Sequence, residues 1–367
     1  MRLPTCFKTL FRGLLLGCAM GMAGCVSAPD VPVKKAPPPV FPAPPAEARF
    51  VYERTLYSSA DVVEEAASEG LRRMLVGGGR TGEGLGKPYG VAAYEGKVYV
   101  SDTAQRVVLV FDIPGKRFYR IGDDDPGGLM KPFGLDLDAQ GNLYVVDGMA
   151  RHIQVYSKDG KFLRTLGSAA HLRRPSGVAV DAAGKRVYVV DIGGIQTDEH
   201  KVIVFDAVDG KHLFDFGKRG TGDGEFNLPR DIAIGKDGLL YVVDGGNFRI
   251  QVFTPEGVYV RRFGAVGLRS GQFSKPKEIA IGEDGNVYVV DIAFGNFQIF
   301  NPQGQVLLAV GGRAETDGPA RFMLPQGIAV DKDGRVYMAD QYFRKVDVFR
   351  PAGLDENAGF AVPGARK

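Results

Sequence analysis

Pro229-Arg230-Asp231-Ile232-Ala233, Tyr241-Val242-Val243-Asp244, Ile250-Gln251-Val252-Phe253 and Tyr259-Val260-Arg261-Arg262-Phe263-Gly264 follow one another within residues 229–264. Each segment is short, rich in β-branched or aromatic residues, and set off by a loop that contains Gly. That pattern reads as four strands in succession, because these side chains suit a pleated surface and the Gly turns separate them. Apolar positions spaced at 3.6 residues, which a helical repeat requires, are missing.

The unit recurs from about Leu71 to Phe349. Its opening strand reads Pro88-Tyr89-Gly90-Val91-Ala92, Pro132-Phe133-Gly134-Leu135, Pro175-Ser176-Gly177-Val178-Ala179, Pro276-Lys277-Glu278-Ile279-Ala280 and Pro325-Gln326-Gly327-Ile328-Ala329 in the other copies. The second strand ends each time in Asp, at 102, 147, 191, 244, 291 and 340, roughly 48 residues apart. Four short strands at that period make a propeller blade, and six copies make an all-β, six-bladed β-propeller. Gly and Ala recur in the opening strand, which lies innermost where blades crowd the axis. Tyr, Phe and Val fill later strands, where the wedge widens. The sixth copy has a third strand, Lys345-Val346-Asp347-Val348-Phe349, and no evident fourth. Glu69-Gly70-Leu71-Arg72-Arg73-Met74-Leu75-Val76-Gly77 matches Glu256 to Gly264. The expectation is that this N-terminal strand closes the last blade and removes an open edge. The propeller is then expected over 58–350, with a tail at 351–367.

Ahead of the repeats, Arg2, Lys8 and Arg12 precede an apolar run from Leu14 to Met20 and the sequence Met22-Ala23-Gly24-Cys25. A basic start, a short apolar stretch and small residues form a secretory signal, expected over 1–24, and the run is too short to span a bilayer. The Ala-Gly-Cys ending resembles the lipobox of bacterial lipoproteins. The resemblance implies cleavage before Cys25, a diacylglycerol on its sulfur, and attachment to a membrane of the bacterial envelope. Val26 and Ser27 follow, not the Asp that commonly retains lipoproteins at the inner membrane, so the outer membrane is expected. Residues 29–48 hold eight prolines. They read as an extended tether over 25–57 that stands the propeller off the membrane by up to about 60 Å. Ser58 to Glu69 then reads as a short helix, capped by Ser58 or Ser59 and ended by Gly70.

Cys6, Cys18 and Cys25 are the only cysteines. No disulfide, thiolate metal site or cysteine nucleophile is therefore expected in the propeller. Once Arg2, Lys8 and Arg12 leave with the signal, the remaining bases balance the 43 acids. A neutral average argues against a general nucleic-acid binder and leaves room for a local patch.

The unit Pro-x-Gly-Val-Ala, then Tyr-Val-x-Asp, then Asn-x-Arg-x-Gln-Val-Phe resembles the NHL repeat. Asn247-Phe248-Arg249-Ile250-Gln251-Val252-Phe253 is its best copy, and Gly220 to Phe226 matches the usual loop between blades. With the lipobox and the Pro-rich segment, the whole chain resembles NHL-type propeller lipoproteins of bacterial envelopes. The resemblance is specific for fold and carries no activity by itself. Relatives include ubiquitin-ligase partner domains, RNA-binding domains, an amidating lyase and lactonase-like hydrolases.

The opening prolines and the loops after each Tyr-Val-x-Asp share one face of the disc, the proline face; the Gly turns share the other, the turn face. The proline face is the expected binding mouth. The six repeated Asp residues read as caps of their own loops, paired with Arg106, Arg151, Arg249 or Arg344, and not as a ring of ligands. Blades four and five carry acids, Asp231 and Glu278, where the other blades have Gly, beside Arg230 and Lys277. With Tyr89, Phe133 and Gln326 these are the candidate partner-binding residues, and the alternative is that they form salt bridges between blades. His152, His171 and His200, with Asp198 or Glu199, are a candidate metal group, while His212 is expected on the opposite face. The amidating lyases place metal-binding His after the blade-opening proline, where this chain has Tyr89, Phe133, Ser176, Arg230, Lys277 and Gln326, so that activity is not carried over. Gly77 to Lys87 falls short of a phosphate loop, because Pro88 stands where Ser or Thr is required. The expected function is a membrane-anchored scaffold or binding module, without cofactor, that presents one propeller face to a protein or glycan. The alternative is a metal-dependent lyase or hydrolase that uses Asp231, Glu278 or the His loops.

Overall fold

The computed structural model describes residues 37–361, apart from 66, 67, 69, 71–73, 76–78, 195 and 196. The chain divides into two units, 1–37 and 38–367, and the sheets all lie in the second. Cys25 and the expected signal lie outside the described residues.

Six antiparallel sheets follow one another around an axis. Blade four is the simplest: Pro229–Ile234, Leu240–Asp244, Arg249–Phe253 and Tyr259–Phe263, each strand paired with the next. The first strand faces the axis, and the burial of the fourth alternates because one face packs on a neighbouring blade and the other meets water. Between blades lies the core. Tyr99, Tyr144, Tyr188, Tyr241, Tyr288 and Tyr337, one per blade, are almost fully buried. The hydroxyls of Tyr99, Tyr144, Tyr188, Tyr241 and Tyr337 reach a polar group at the sheet margin, as Tyr337 does with Asp331 at 2.7 Å and Tyr188 with the carbonyl of Pro255 at 3.2 Å.

Side chains from the third strand latch the loops between blades. Gln251 accepts from the Gly224 N–H at 3.0 Å and donates to the Glu225 carbonyl at 2.7 Å. Gln298 does the same with Gly271 and Gln272, both at 2.8 Å. Buried polar groups with both ends satisfied hold backbone that lacks a sheet partner.

Blade six is closed by an N-terminal strand, but a different one from that expected. Lys345–Pro351 pairs with Phe50–Leu56, in the register Tyr52 to Phe349 and Leu56 to Val346. The place expected for residues 69–77 is filled by Phe50–Leu56; of 69–77 only Gly70, Met74 and Leu75 are among the described residues. The match of Glu69–Gly77 to blade four was one of composition, whereas Phe50–Leu56 supplies what the blade lacks. Thr55 donates to Asp347 at 2.6 Å, Tyr52 packs edge-on against Phe349, and Glu53 pairs at 2.8 Å with the wholly buried Arg335.

The tether is correspondingly shorter than expected. Val40–Phe41 adds a fifth strand to blade six by pairing with Phe50 and Val51, and the Phe41 ring packs on Phe349. Its prolines tolerate this because the strand lies at the outer edge, where a missing donor leaves no ladder bond unmade. Of the helix expected at 58–69, the described residues show a 3-10 turn at Ser59–Asp61, with the Asp61 carboxylate accepting from the Tyr57 and Ser58 N–H groups at 2.8 Å, and Ser68 in helical conformation. The tail is also ordered into the fold through Ala361. Its Ala358 carbonyl accepts from Arg335, and the Phe360 N–H donates to Asp333.

Candidate functional site

Around the axis the inner strands come close enough to touch at their third residue. A Cβ on Gly134 would sit 2.7 Å from the Ser176 carbonyl oxygen, and one on Gly327 would sit 2.5 Å from that of Tyr89. Glycine at four of the six positions is therefore a requirement of backbone approach. The other two positions hold Asp231 and Glu278. Their carboxylates fill the remaining part of the ring, with Asp231 Oδ1 against the α-carbon of Gly177.

Each axial acid crosses one blade boundary and accepts a backbone N–H from the next inner strand. Asp231 accepts from Ile279 at 3.1 Å, and Glu278 accepts from Ile328. Asp136 in blade two accepts from Val180 at 2.9 Å and from its own neighbour Leu137 at 2.8 Å. These inner strands have one free edge each, and the acids satisfy donors that no strand can reach.

The acids are costly where they sit. Asp231 and Glu278 are 8% and 5% exposed. Burial pushes the Asp231 carboxyl up to about 6, against the pull of the Ile279 N–H and Lys277. Glu278 is raised well above the usual carboxylate range, first by burial and then by the charge of Asp231. Asp136 borders the channel and is half-buried, and desolvation raises it to about 7 against the pull of the Val180 and Leu137 N–H groups. Glu278 Oε1 is buried without a hydrogen-bond partner.

All three acids line a cavity of about 380 Å³ on the axis. Its walls are the second halves of the inner strands, and its rim is Asp138, Lys236, Glu283, Asp331 and Lys332. It therefore opens on the turn face, away from the mouth expected from the sequence. On the proline side a different layer covers the axis. Lys277 is 7% exposed; its ammonium stands 3.9 Å from the Tyr89 ring centroid and donates to the Tyr89 hydroxyl. Tyr89 packs on Phe133 at 4.8 Å, and Lys131 lies 5.5 Å from the Phe133 ring.

The sequence of blade four matches a family model, the NHL repeat, over residues 226–253. Blade four carries an NHL repeat. The chain is similar to NHL repeat-containing protein 3 of Mus musculus and of Homo sapiens, 34% and 27% identical over 181 residues, or 44% of this chain. The chain matches about half the length of these curated relatives. Among solved structures, a gluconolactonase from Xanthomonas campestris aligns with TM-score 0.54 and 18% identity, over 73% of this chain and 86% of its own. A streptogramin B lyase aligns with TM-score 0.52 and 17% identity, over 73% and 94%. At such identities the likeness is one of fold.

The seven candidate residues of the propeller separate into two groups. Asp231 and Glu278 line the cavity; Arg230, Lys277, Tyr89, Phe133 and Gln326 do not. The salt bridges that were the alternative for the acid-base pairs are not formed among the described residues. Lys277 turns to Tyr89, and the Arg230 carbonyl accepts from Ser176 at 2.8 Å. Asp136 was missed, although its signal was legible. Blade two has Asp where the other inner strands have Ala92, Ala179, Ala233, Ala280 and Ala329.

The six strand-ending Asp residues do cap their loops. Asp102, for example, accepts from Gly86, Lys87, Ala104 and Gln105. The arginine pairing holds only for Arg249, 2.8 Å from Asp244. Arg106, Arg151 and Arg344 instead take positive φ at the turn and form no ion pair among the described residues.

The His group expected for a metal is not assembled. His200 is buried between blades three and four, accepting from the Leu228 N–H at 3.2 Å. His152 is partly buried and lowered by burial, and His171 stacks on His212 at 5.0 Å. His212 was expected on the other face. Blade twist carries the outer strand of blade three around to the loop that leaves blade two, so residues at opposite strand ends meet. Among the described residues no three His, Cys, Asp or Glu side chains come together to hold a metal ion.

Proposed function

We propose that this NHL propeller is a membrane-anchored binding module, tethered through a lipid on Cys25 at the outer membrane, whose proline face takes an anionic envelope glycan. The observation that carries the reading is a ring of bases. The residue before the opening proline is Lys87, Lys131, Arg174 and Lys275 in four blades, and all four are exposed. Arg106, Arg151 and Arg344, exposed in the loops after the second strand, widen the ring. None of the seven pairs with a carboxylate among the described residues. Of the acids in the loops of the same face, Glu83, Asp123, Asp223 and Glu225 are paired with Arg120, Arg262 and Lys218, while Asp124, Asp125, Asp198, Glu199 and Glu315 lie in outer loops. The turn face carries acids and lysines together. Net neutrality thus leaves a local ring of unpaired bases around the proline mouth, and a local field of this kind concentrates an anionic partner. At the centre of the ring Tyr89 and Phe133 pack on each other with Lys277 and Lys131 near their rings, which adds to the positive character of the mouth.

The test is retention of the full chain, in mild detergent, on an immobilised uronate polysaccharide compared with neutral dextran. Retention on the uronate should weaken with salt and fall at least tenfold in a Lys87→Glu, Lys131→Glu, Lys275→Glu variant. Equal retention on both matrices would refute the reading. Anchoring is tested separately, by incorporation of a labelled fatty acid that Cys25→Ala abolishes. The metal-dependent lyase or hydrolase reading draws on Asp231 and Glu278 and on the lyase and the gluconolactonase that share the fold. Metal-stimulated turnover of a lactone, lost in Asp231→Asn, would favour it.

A further inference from the structure

We infer that the axial cavity, opening on the turn face, is a binding site for a small organic ammonium ion that donates hydrogen bonds to Glu278. This inference is independent of the proline-face reading. Three acids alone would not carry it, since their bonds to Val180, Ile279 and Ile328 give them a structural task. The second observation is Glu278 Oε1: it belongs to a side chain 5% exposed, lining the cavity, and it has no donor. A buried acceptor left unmade is costly, so the site favours any occupant that brings a donor.

The occupant's charge follows from the surroundings. Glu278 is flanked by Asp231, and Asp136 lines the same cavity. Lys277, the base nearest in sequence, directs its ammonium to Tyr89 on the other side of the axial layer. At the rim Lys236 is paired with Glu283, Lys332 lies over the Tyr94 ring, Asp138 caps its own turn, and Asp331 accepts from Tyr337. No cation of the described residues forms an ion pair with the three acids; Lys277 pulls on Asp231 and Glu278 from across the layer, and burial outweighs that pull at both. A water molecule would satisfy the acceptor and add no charge to offset the carboxyls. The donor geometry does not assemble a metal site. A cation with directional N–H groups and an apolar stem fits better, because Val91, Leu135, Val178, Ile232, Ile279 and Ile328 line the same walls. The volume, about 380 Å³, lies within the range of small-molecule sites.

Binding and protonation should be linked. An alkylammonium stays charged below pH 9, whereas these carboxyls hold their protons unusually tightly. Affinity for the ammonium should therefore be weak at pH 5 and strengthen toward pH 8 as the acids ionise.

The experiment is calorimetric titration of the full chain with n-butylammonium, tetramethylammonium and calcium, each at pH 5 and pH 8. Saturable binding of n-butylammonium is expected, tighter at pH 8. Tetramethylammonium, which has no N–H, should bind at least about tenfold more weakly, as should n-butylammonium to Glu278→Gln. Asp136→Asn, on another blade, should weaken binding as well, and thermal melts of both variants establish that they are folded. Absence of saturable n-butylammonium binding to folded protein, binding unchanged by Glu278→Gln, equal binding of tetramethylammonium, or tighter binding of calcium would each overturn the inference.

Discussion

Residue by residue, the axis of the propeller concentrates groups whose ionisation the fold opposes. Asp231 is raised to about 6 and Asp136 to about 7, and Glu278 shifts in the same direction. A carboxyl whose folded pKa exceeds its unfolded value favours folding below the unfolded pKa. That contribution is lost as pH rises through the folded value. Glu278→Gln removes one such group and adds a donor toward Asp231. Its melting temperature should match that of the parent near pH 4.5 and exceed it by a few degrees at pH 8, on the order of 1–2 kcal/mol; thermal melts across that range check the trend. Asp244 is the contrasting case. It receives Asn227, Asn247, Arg249 and Gln251, and Arg249 is nearly as buried as its partner. Asp244→Ala should destabilise by about 3–5 kcal/mol, because it strands a buried guanidinium, and denaturant unfolding would measure the loss.

At the scale of the element, ring closure depends on seven residues near the start of the unit. Phe50–Leu56 covers the edge of Lys345–Pro351 and neutralises the buried Arg335 through Glu53. A chain begun at Pro38 keeps this strand and should melt close to the parent. A chain begun at Tyr57 should lose several kcal/mol and self-associate through the bared edge, as size-exclusion chromatography would show. The sequence pattern anticipated that an N-terminal strand closes the ring and misplaced it by about twenty residues. Phe50–Leu56 does not look like the other fourth strands, because its role was adapted to partners of blade six alone: Asp347, Phe349 and Arg335.

For the whole molecule, the local ring of unpaired bases on the proline face matters more than the net balance. If the exposed bases of the proline face act together, retention on a polyanion should depend steeply on ionic strength. A charge reversal at Lys185, Lys236 and Lys332 on the turn face should leave it nearly unchanged. That comparison distinguishes a localised field from general charge attraction, and it can be read from the salt needed for elution.

The propeller was legible in the sequence because its information is periodic and local. The opening proline, the Tyr that fills the wedge and the Asp that caps the loop recur in every blade and need only their own neighbours to act. The substitution of Gly by Asp231 and Glu278 was legible too, as a break in that period. The role of these acids was decided by the tertiary structure: their side chains cross to the next blade's inner strand and line a cavity that opens on the turn face. The meeting of His171 with His212 and the reach of Glu53 to Arg335 were settled in the same way. Each depends on blade twist and ring closure, which bring together residues far apart in the chain or at opposite strand ends. A repeat encodes its own blade, whereas the axis and the seam exist only once all six blades are assembled.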